Sequence, residues 1–182
     1  MAELRSAGAF LDAQRVVSSL GISQGQQVAD FGCGSGYFTM ELAKAVGSGG
    51  VVNAVDVMQE PLEAVHAKAE AAGLKNIQMI RADLEVLGGT KLPDGSQDWV
   101  LLKNVLFQSQ KKEAMLGEAA RVAKAGGRVV VIEWKKGAGG IGPPEPLRSD
   151  EATIEQMAHA SGLRTERPLS VDSSHFGFVF IK

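Results

Sequence analysis

The chain has 182 residues, 45% of them hydrophobic and 22% charged, enough for one domain with a sizeable core and too few for two full ones. Its 19 basic and 21 acidic residues leave a net charge of −2, so no general electrostatic pull acts toward nucleic acid or an anionic membrane. Cys33 is the only cysteine, which excludes a disulfide framework or a cysteine-based zinc site within one chain.

The first residues, MAELRSAGAFLDAQ, carry Glu3, Arg5 and Asp12 and lack an apolar signal region. No stretch approaches the length of a membrane span, and a cytoplasmic protein is the expectation. Residues 8–20 pattern as an amphipathic helix with Phe10, Val16, Val17 and Leu20 toward the core. A first strand covers 27–31 and a helix 37–46, stopping near Gly47. Residues 49–57 give a second strand ending in Asp56; a helix then starts at Pro61, with Gly73 just past its end. A third strand, 76–82, closes on Asp83, and LPDGSQD is a turn-rich loop. The fourth strand, 98–103, leads into NVLFQSQ. A helix, KKEAMLGEAARVAKA, ends at Gly126–Gly127, and the fifth strand covers 128–134. A glycine and proline loop precedes a last helix, with Ser149 as N-cap and Asp150 and Glu151 in its first turn. LRTERPLSV and HFGFVFIK read as an antiparallel pair at the sheet edge. Strands alternating with helices predict a doubly wound α/β fold with a parallel sheet, and residues 1–182 are expected to form one domain.

Residues 28–39, VADFGCGSGYFT, are the most informative segment. A short strand ends in Asp30 and runs into Gly32, Gly34 and Gly36, after which helical patterning resumes. Such a loop at the carboxyl end of a strand lets a ligand lie against bare main chain. The dinucleotide spacing G-x-G-x-x-G is not met, because Tyr37 fills the slot of the third glycine. Asp30 at the mouth of the loop would repel a pyrophosphate and suits a cationic ligand carrying an ammonium and a sulfonium. No G-x-x-x-x-G-K-[ST] occurs either.

Asp30, Asp56 and Asp83 end the first three strands and Asn104 follows the fourth. In an open parallel sheet these ends share one edge, where ligands bind. For an adenosine ligand with an amino-acid tail, Asp56 can accept both ribose hydroxyls and Asp83 the exocyclic amine. Val57, Met58 and Leu84 can sandwich the adenine. The competing structural reading is that acids at strand ends cap helices or make turns.

VADFGCGSGYFT resembles motif I of the class I S-adenosylmethionine-dependent methyltransferases. VNAVDV and RADLE match their second and third motifs, LLKNVLFQ stands in the place of the fourth, and AKAGGRVVVIEW resembles the stretch leading into strand five. Within the superfamily the chain is most similar to the branch around ubiquinone and menaquinone biosynthesis C-methyltransferases. The resemblance implies a Rossmann-like sheet of order 3-2-1-4-5-7-6 with strand seven antiparallel, S-adenosylmethionine as cofactor, and a small-molecule methyl acceptor, with no nucleic acid. It implies cofactor roles for Asp30, Gly32, Gly34, Asp56, Met58, Asp83, Leu84 and Asn104. The N/D-P-P-Y/F motif of amino-group methyltransferases is absent, acids do not cluster after strand four as metal-assisted enzymes require, and one cysteine cannot supply arsenite chemistry. Two other readings stand beside this one: a cofactor-binding partner subunit without turnover, and an NAD-type oxidoreductase.

Methyl transfer from a sulfonium is an in-line displacement that depends chiefly on positioning, so no catalytic residue is assigned. Glu133, His175 and Tyr37 are the polar groups that could reach the crevice, and Trp134 with the loop through Gly142-Pro143-Pro144 could cover an acceptor pocket. His66 and His159 are expected on helix surfaces.

Overall fold

The computed structural model describes residues 11–139 and 142–182; Phe10 and the start of the expected first helix lie outside them. Seven strands, β1 (Gln27–Phe31), β2 (Val51–Asp56), β3 (Ile77–Arg81), β4 (Gln97–Lys103), β5 (Ala123–Trp134), β6 (Arg164–Pro168) and β7 (His175–Ile181), form one sheet. Its order is β3-β2-β1-β4-β5-β7-β6. β1 to β5 pair in parallel, and β7 runs antiparallel to both β5 and β6. The helices are α1 (Ala13–Leu20), α2 (Tyr37–Val46), α3 (Gln59–Ala71), α4 (Lys112–Val122) and α5 (Glu151–Ala160).

The central strands are apolar on both faces because both faces are covered. On one side Val28, Trp99, Leu101, Val130 and Ile132 pack against α1 and α2, and Ala54 meets Leu62 and Val65 of α3. On the other, Ala29, Phe31, Val100, Leu102 and Val131 pack against α4 and α5 through Leu116, Ala119 and Ile154. The edge strand β3 is largely exposed.

Helix ends differ from the sequence reading for local reasons. α1 starts at Ala13, where the Asp12 carboxylate accepts from the Arg15 amide at 3.0 Å. α3 begins at Gln59, two residues before Pro61, because proline is tolerated throughout a first helical turn. α5 is capped by Asp150 rather than Ser149: its carboxylate accepts from Thr153 N at 2.8 Å. α4 stops at Val122 instead of continuing toward Gly126. There Ala123 joins the sheet opposite Gln97, and the register slips so that Arg128 faces Trp99. Burial of Val122 and Ala123 in the core overrides the helix propensity of Ala-Lys-Ala.

One buried ion cluster fixes the loop between β3 and β4. The fully buried Glu118 of α4 accepts from Gly88 N (2.7 Å), Thr90 N (3.2 Å), the Thr90 hydroxyl, and Arg121 Nε (2.8 Å) and Nη2 (2.7 Å). Arg121 continues to the Leu92 carbonyl at 2.8 Å and to Asp94. Burial by itself would raise the Glu118 pKa, but the donors from Arg121, Thr90 and Gly88 outweigh it and bring it down from 4.5 to about 2. Because the folded-state value lies below the unfolded one, this stabilisation is present above about pH 4.5 and is lost as pH falls toward 2. Glu118→Gln should cost about 3 kcal/mol in urea denaturation at pH 7, with the deficit shrinking as the titration is repeated from pH 4.5 downward.

Candidate functional site

The loop after β1 folds back over β2: Gly32 N and Cys33 N both donate to the Val55 carbonyl, at 2.8 and 3.0 Å. Gly32 has φ 75°, and a Cβ there would stand 2.5 Å from Val105 Cγ2, so glycine is required by contact as well as by conformation. Gly34 has φ 50°, and a Cβ there would meet nothing within 4 Å. Above Gly34 the main chain is bare and faces open space. Cys33 is buried between them, and burial together with Asp30 and Asp56 pushes its thiol pKa up, so it fills space rather than reacting.

That open space belongs to a groove of about 380 Å³ running from Gly32 and Gly34 past Asp56, Val57 and Met58 to Asp83, Leu84 and Glu85. Val105, Gln108, Ser109, Met115 and Pro61 complete its walls. Sequence reading missed these five; they are spread over NVLFQSQ, α3 and α4, and only the fold brings them together. Asp56 Oδ2 accepts from Gly34 N at 3.1 Å and Oδ1 from Met58 N at 3.0 Å. The carboxylate thus joins the β1 and β2 loops, and about two of its four lone-pair sites remain free. Asp83 Oδ1 accepts from Glu85 N at 2.9 Å in a turn. Val57 and Met58 are 56% and 55% exposed, an apolar rim beside the carboxylates, while Leu84 is buried as part of the floor. No lysine or arginine lines the groove; Lys111 reaches Glu85 from outside, at 3.5 Å. A second cavity, of about 400 Å³, lies at the opposite edge of the sheet around Gly47, Gly50 and Asn76, far from these carboxylates.

Six of the eight residues expected to hold a cofactor, Gly32, Gly34, Asp56, Met58, Asp83 and Leu84, therefore line one groove. Asp30 and Asn104 do not. Asp30 is 2% exposed behind the loop, where the Thr39 hydroxyl donates to it at 2.6 Å. Burial raises its pKa to about 6, against the lowering effects of Thr39 and Lys103. Val28 and Asp30 share the pleat facing α1 and α2, and Asp30 lies below the strand ends at which the groove opens between Pro61 of α3 and Met115 of α4. Asn104, at φ 53°, belongs to the same rear face. Turned with its oxygen inward, its amide accepts from Trp134 Nε1 (3.1 Å) and Lys103 Nζ (3.0 Å), with His175 Nε2 beside it at 3.1 Å.

The polar groups considered for proton transfer have other partners. Glu133 is buried and accepts from Leu106 N at 2.8 Å, capping the short turn Leu106–Gln108. Burial lifts its pKa to about 7 against those backbone donors. His175 is 2% exposed, stacks 4.0 Å from Trp134, and meets Asp172 Oδ1 through Nδ1 at 2.8 Å. Its pKa is lowered by burial despite Asp172. Tyr37 is exposed, at the start of α2. His66 and His159 lie on exposed helix surface beside Glu70 and Thr165. The loop at Gly142 packs on Trp134, and Arg148 holds it by donating to the Pro143 and Lys135 carbonyls at 3.0 and 2.8 Å. Among the described residues no helix is long and apolar enough to cross a membrane.

Residues 22–162 match the family described as a methyltransferase domain, and the chain belongs to that family. It is 33% identical over 120 residues to a demethylmenaquinone methyltransferase of Staphylococcus aureus, covering 66% of this chain and 48% of that protein. The chain thus spans about half the length of the curated relatives it matches. Among solved structures, a SAM-dependent methyltransferase from Aquifex aeolicus superposes with a TM-score of 0.85 at 28% identity, over 94% of this chain and 89% of that one. The [4+2]-cyclase SpnF superposes at 0.72 with 23% identity, over 87% of this chain and 58% of that one, a likeness of fold alone.

Gly34→Ala separates fold from cradle. It should cost about 1 kcal/mol of stability for the left-handed backbone, measured by thermal denaturation. The added methyl projects into the groove, so affinity for S-adenosylhomocysteine should fall by an order of magnitude or more in calorimetry.

Proposed function

We propose that the protein holds S-adenosylmethionine in the groove beside the β1 loop and transfers its methyl group to a small-molecule acceptor. The observation that carries this reading is the Asp56 carboxylate, aimed by the Gly34 and Met58 amides into a groove with no basic lining residue. Its free acceptor positions suit the two ribose hydroxyls. Asp83 would take the exocyclic amine of the adenine, and Val57, Met58 and Leu84 would pack on the ring. Gly32 and Gly34 leave room for the amino-acid tail against the main chain. The volume near 380 Å³ is in the range of small-molecule sites.

When bound, the cofactor supplies an electrophilic methyl on a positively charged sulfur. The protein's part is to orient the acceptor, exclude water and stabilise the charge distribution of the displacement. Glu133 and His175 are buried and engaged by backbone amides and by Asp172. This supports an acceptor that arrives already nucleophilic, with no proton removed by the protein. The relatives named demethylmenaquinone methyltransferase make quinol precursors the first acceptors to test, for C- or O-methylation. A pyrophosphate cofactor is disfavoured, since Asp56 and Asp83 flank the space it would need.

Asp56→Ala removes two charge-assisted hydrogen bonds, each worth about 1.5–3 kcal/mol, so affinity for S-adenosylhomocysteine should fall at least a hundredfold in calorimetry. Unchanged affinity would refute the ribose assignment. Transfer of labelled methyl from S-adenosylmethionine to a panel of quinols, phenols and enols tests the reaction itself. Cofactor binding without transfer to any of them would favour the partner-subunit reading.

A further inference from the structure

The rear face of the sheet edge holds a second polar cluster that the groove does not use. Lys103 ends β4 on the same pleat as Trp99 and Leu101, a charge at the end of an apolar stripe. Its ammonium is half-buried, 3.0 Å from the Asn104 amide oxygen and 5.9 Å from the centre of the Phe38 ring. Burial lowers its pKa, while Glu133, Asp30 and Asp172 act on it only through space.

Each of those carboxylates has another partner. Asp30 takes the Thr39 hydroxyl at 2.6 Å. Glu133 takes the Leu106 amide at 2.8 Å. Asp172 takes Ser174 N (2.8 Å), His175 N (2.9 Å) and His175 Nδ1 (2.8 Å). An ammonium has three donors. Asn104 receives one, the Phe38 ring face offers a weak second contact, and the side chain remains partly open to solvent. A structural lysine at this depth would be expected to form a direct ion pair.

The cluster is also adjacent to the cradle. Gly32 and Val105 touch the groove, and Asp30 and Lys103 lie two residues earlier on the same two strands. The register pairs Phe31 with Leu102, so Gly32 and Lys103 are the next positions along the two strands.

We propose that Lys103 is an oxyanion receptor, its ammonium completing its coordination with an anionic oxygen of a ligand bound at the sheet edge, and that Asn104, fixed by the Trp134 indole N–H, holds it in place. The proposal rests on the methyltransferase reading for the identity of that ligand. Two sources carry the required chemistry: the α-carboxylate of the cofactor, or a phenolate, enolate or carboxylate of the acceptor. Asn104, pinned by Trp134, presents its oxygen to Lys103 and limits where the ammonium can swing.

The test compares the unmodified protein with Lys103→Met and Lys103→Arg. Calorimetry uses S-adenosylhomocysteine, 5′-methylthioadenosine, which lacks the amino-acid tail, and 4-hydroxybenzoate added to the protein saturated with S-adenosylhomocysteine. If the cofactor carboxylate is the oxyanion, Lys103→Met weakens S-adenosylhomocysteine binding tenfold or more and leaves methylthioadenosine unchanged. If the acceptor supplies it, both nucleosides bind as before and the aromatic anion loses tenfold or more. Lys103→Arg restores most of the affinity in either case. Lys103→Met should melt within a few degrees of the unmodified protein, because Glu133, Asp30 and Asp172 act on the half-buried ammonium only through space; a large loss of melting temperature with no change in ligand affinity marks a structural lysine and overturns the proposal. Unchanged binding of all three probes overturns it too. Failure of the unmodified protein to bind S-adenosylhomocysteine would instead count against the methyltransferase reading.

Discussion

The structure depends on β1 being hydrogen-bonded in parallel to β2 on one side and β4 on the other. Parallel crossovers are right-handed. Successive steps from β1 to β2 to β3 therefore place α2 and α3 on one face, and the step from β4 to β5 in the opposite direction places α4 on the other. The chain leaves β1 and β4 in diverging directions, and the gap past Phe31 and Lys103 is a crevice no helix can fill. Both the acid-lined groove and the Lys103 cluster sit at that divergence, the groove toward β2 and β3 and the cluster toward β5 and β7.

Packing at the crevice reuses each polar group for structure. Asp56 joins two loops and still faces the groove with free acceptor capacity, so shaping the turn does not use up this strand-end acid. Asp83 likewise shapes its own turn. The loop that carries it is held by the Glu118–Arg121 cluster, which makes the Asp83 side of the groove dependent on a buried ion pair in α4. Preorganisation of this kind places the ordering cost in folding rather than in ligand binding.

Beneath the crevice the balance differs. Asp30 and Glu133 are buried carboxylates whose pKa values rise to about 6 and about 7, mainly through desolvation. Both favour the folded state most when protonated, so their contribution to stability declines as pH rises from the ordinary carboxylate range through those values. Glu118 acts in the opposite sense at lower pH. The direction of each shift is set by which donors each carboxylate found.

The amino-acid sequence by itself determined the layer order and the cradle. The alternation of β-branched strands with capped amphipathic helices leaves only a doubly wound sheet, and glycine at 32 and 34 after a strand ending in acid marks a ligand loop, because these signals are local. Tertiary structure decided which acids face the groove. Asp30 and Asp56 end neighbouring strands and read alike in sequence, yet one is sealed beneath Thr39 and the other opens into the groove. The two acids share a pleat phase, so position along the strand decides: Asp30 lies inside the end of β1, beneath Thr39 of α2, whereas Asp56 is the last residue of β2 and meets the turned-back Gly34 amide. Lys103 was visible in the sequence only as a charge closing an apolar run; its half-buried ammonium, 3.0 Å from the Asn104 amide oxygen, exists only once β4, β5 and β7 lie side by side.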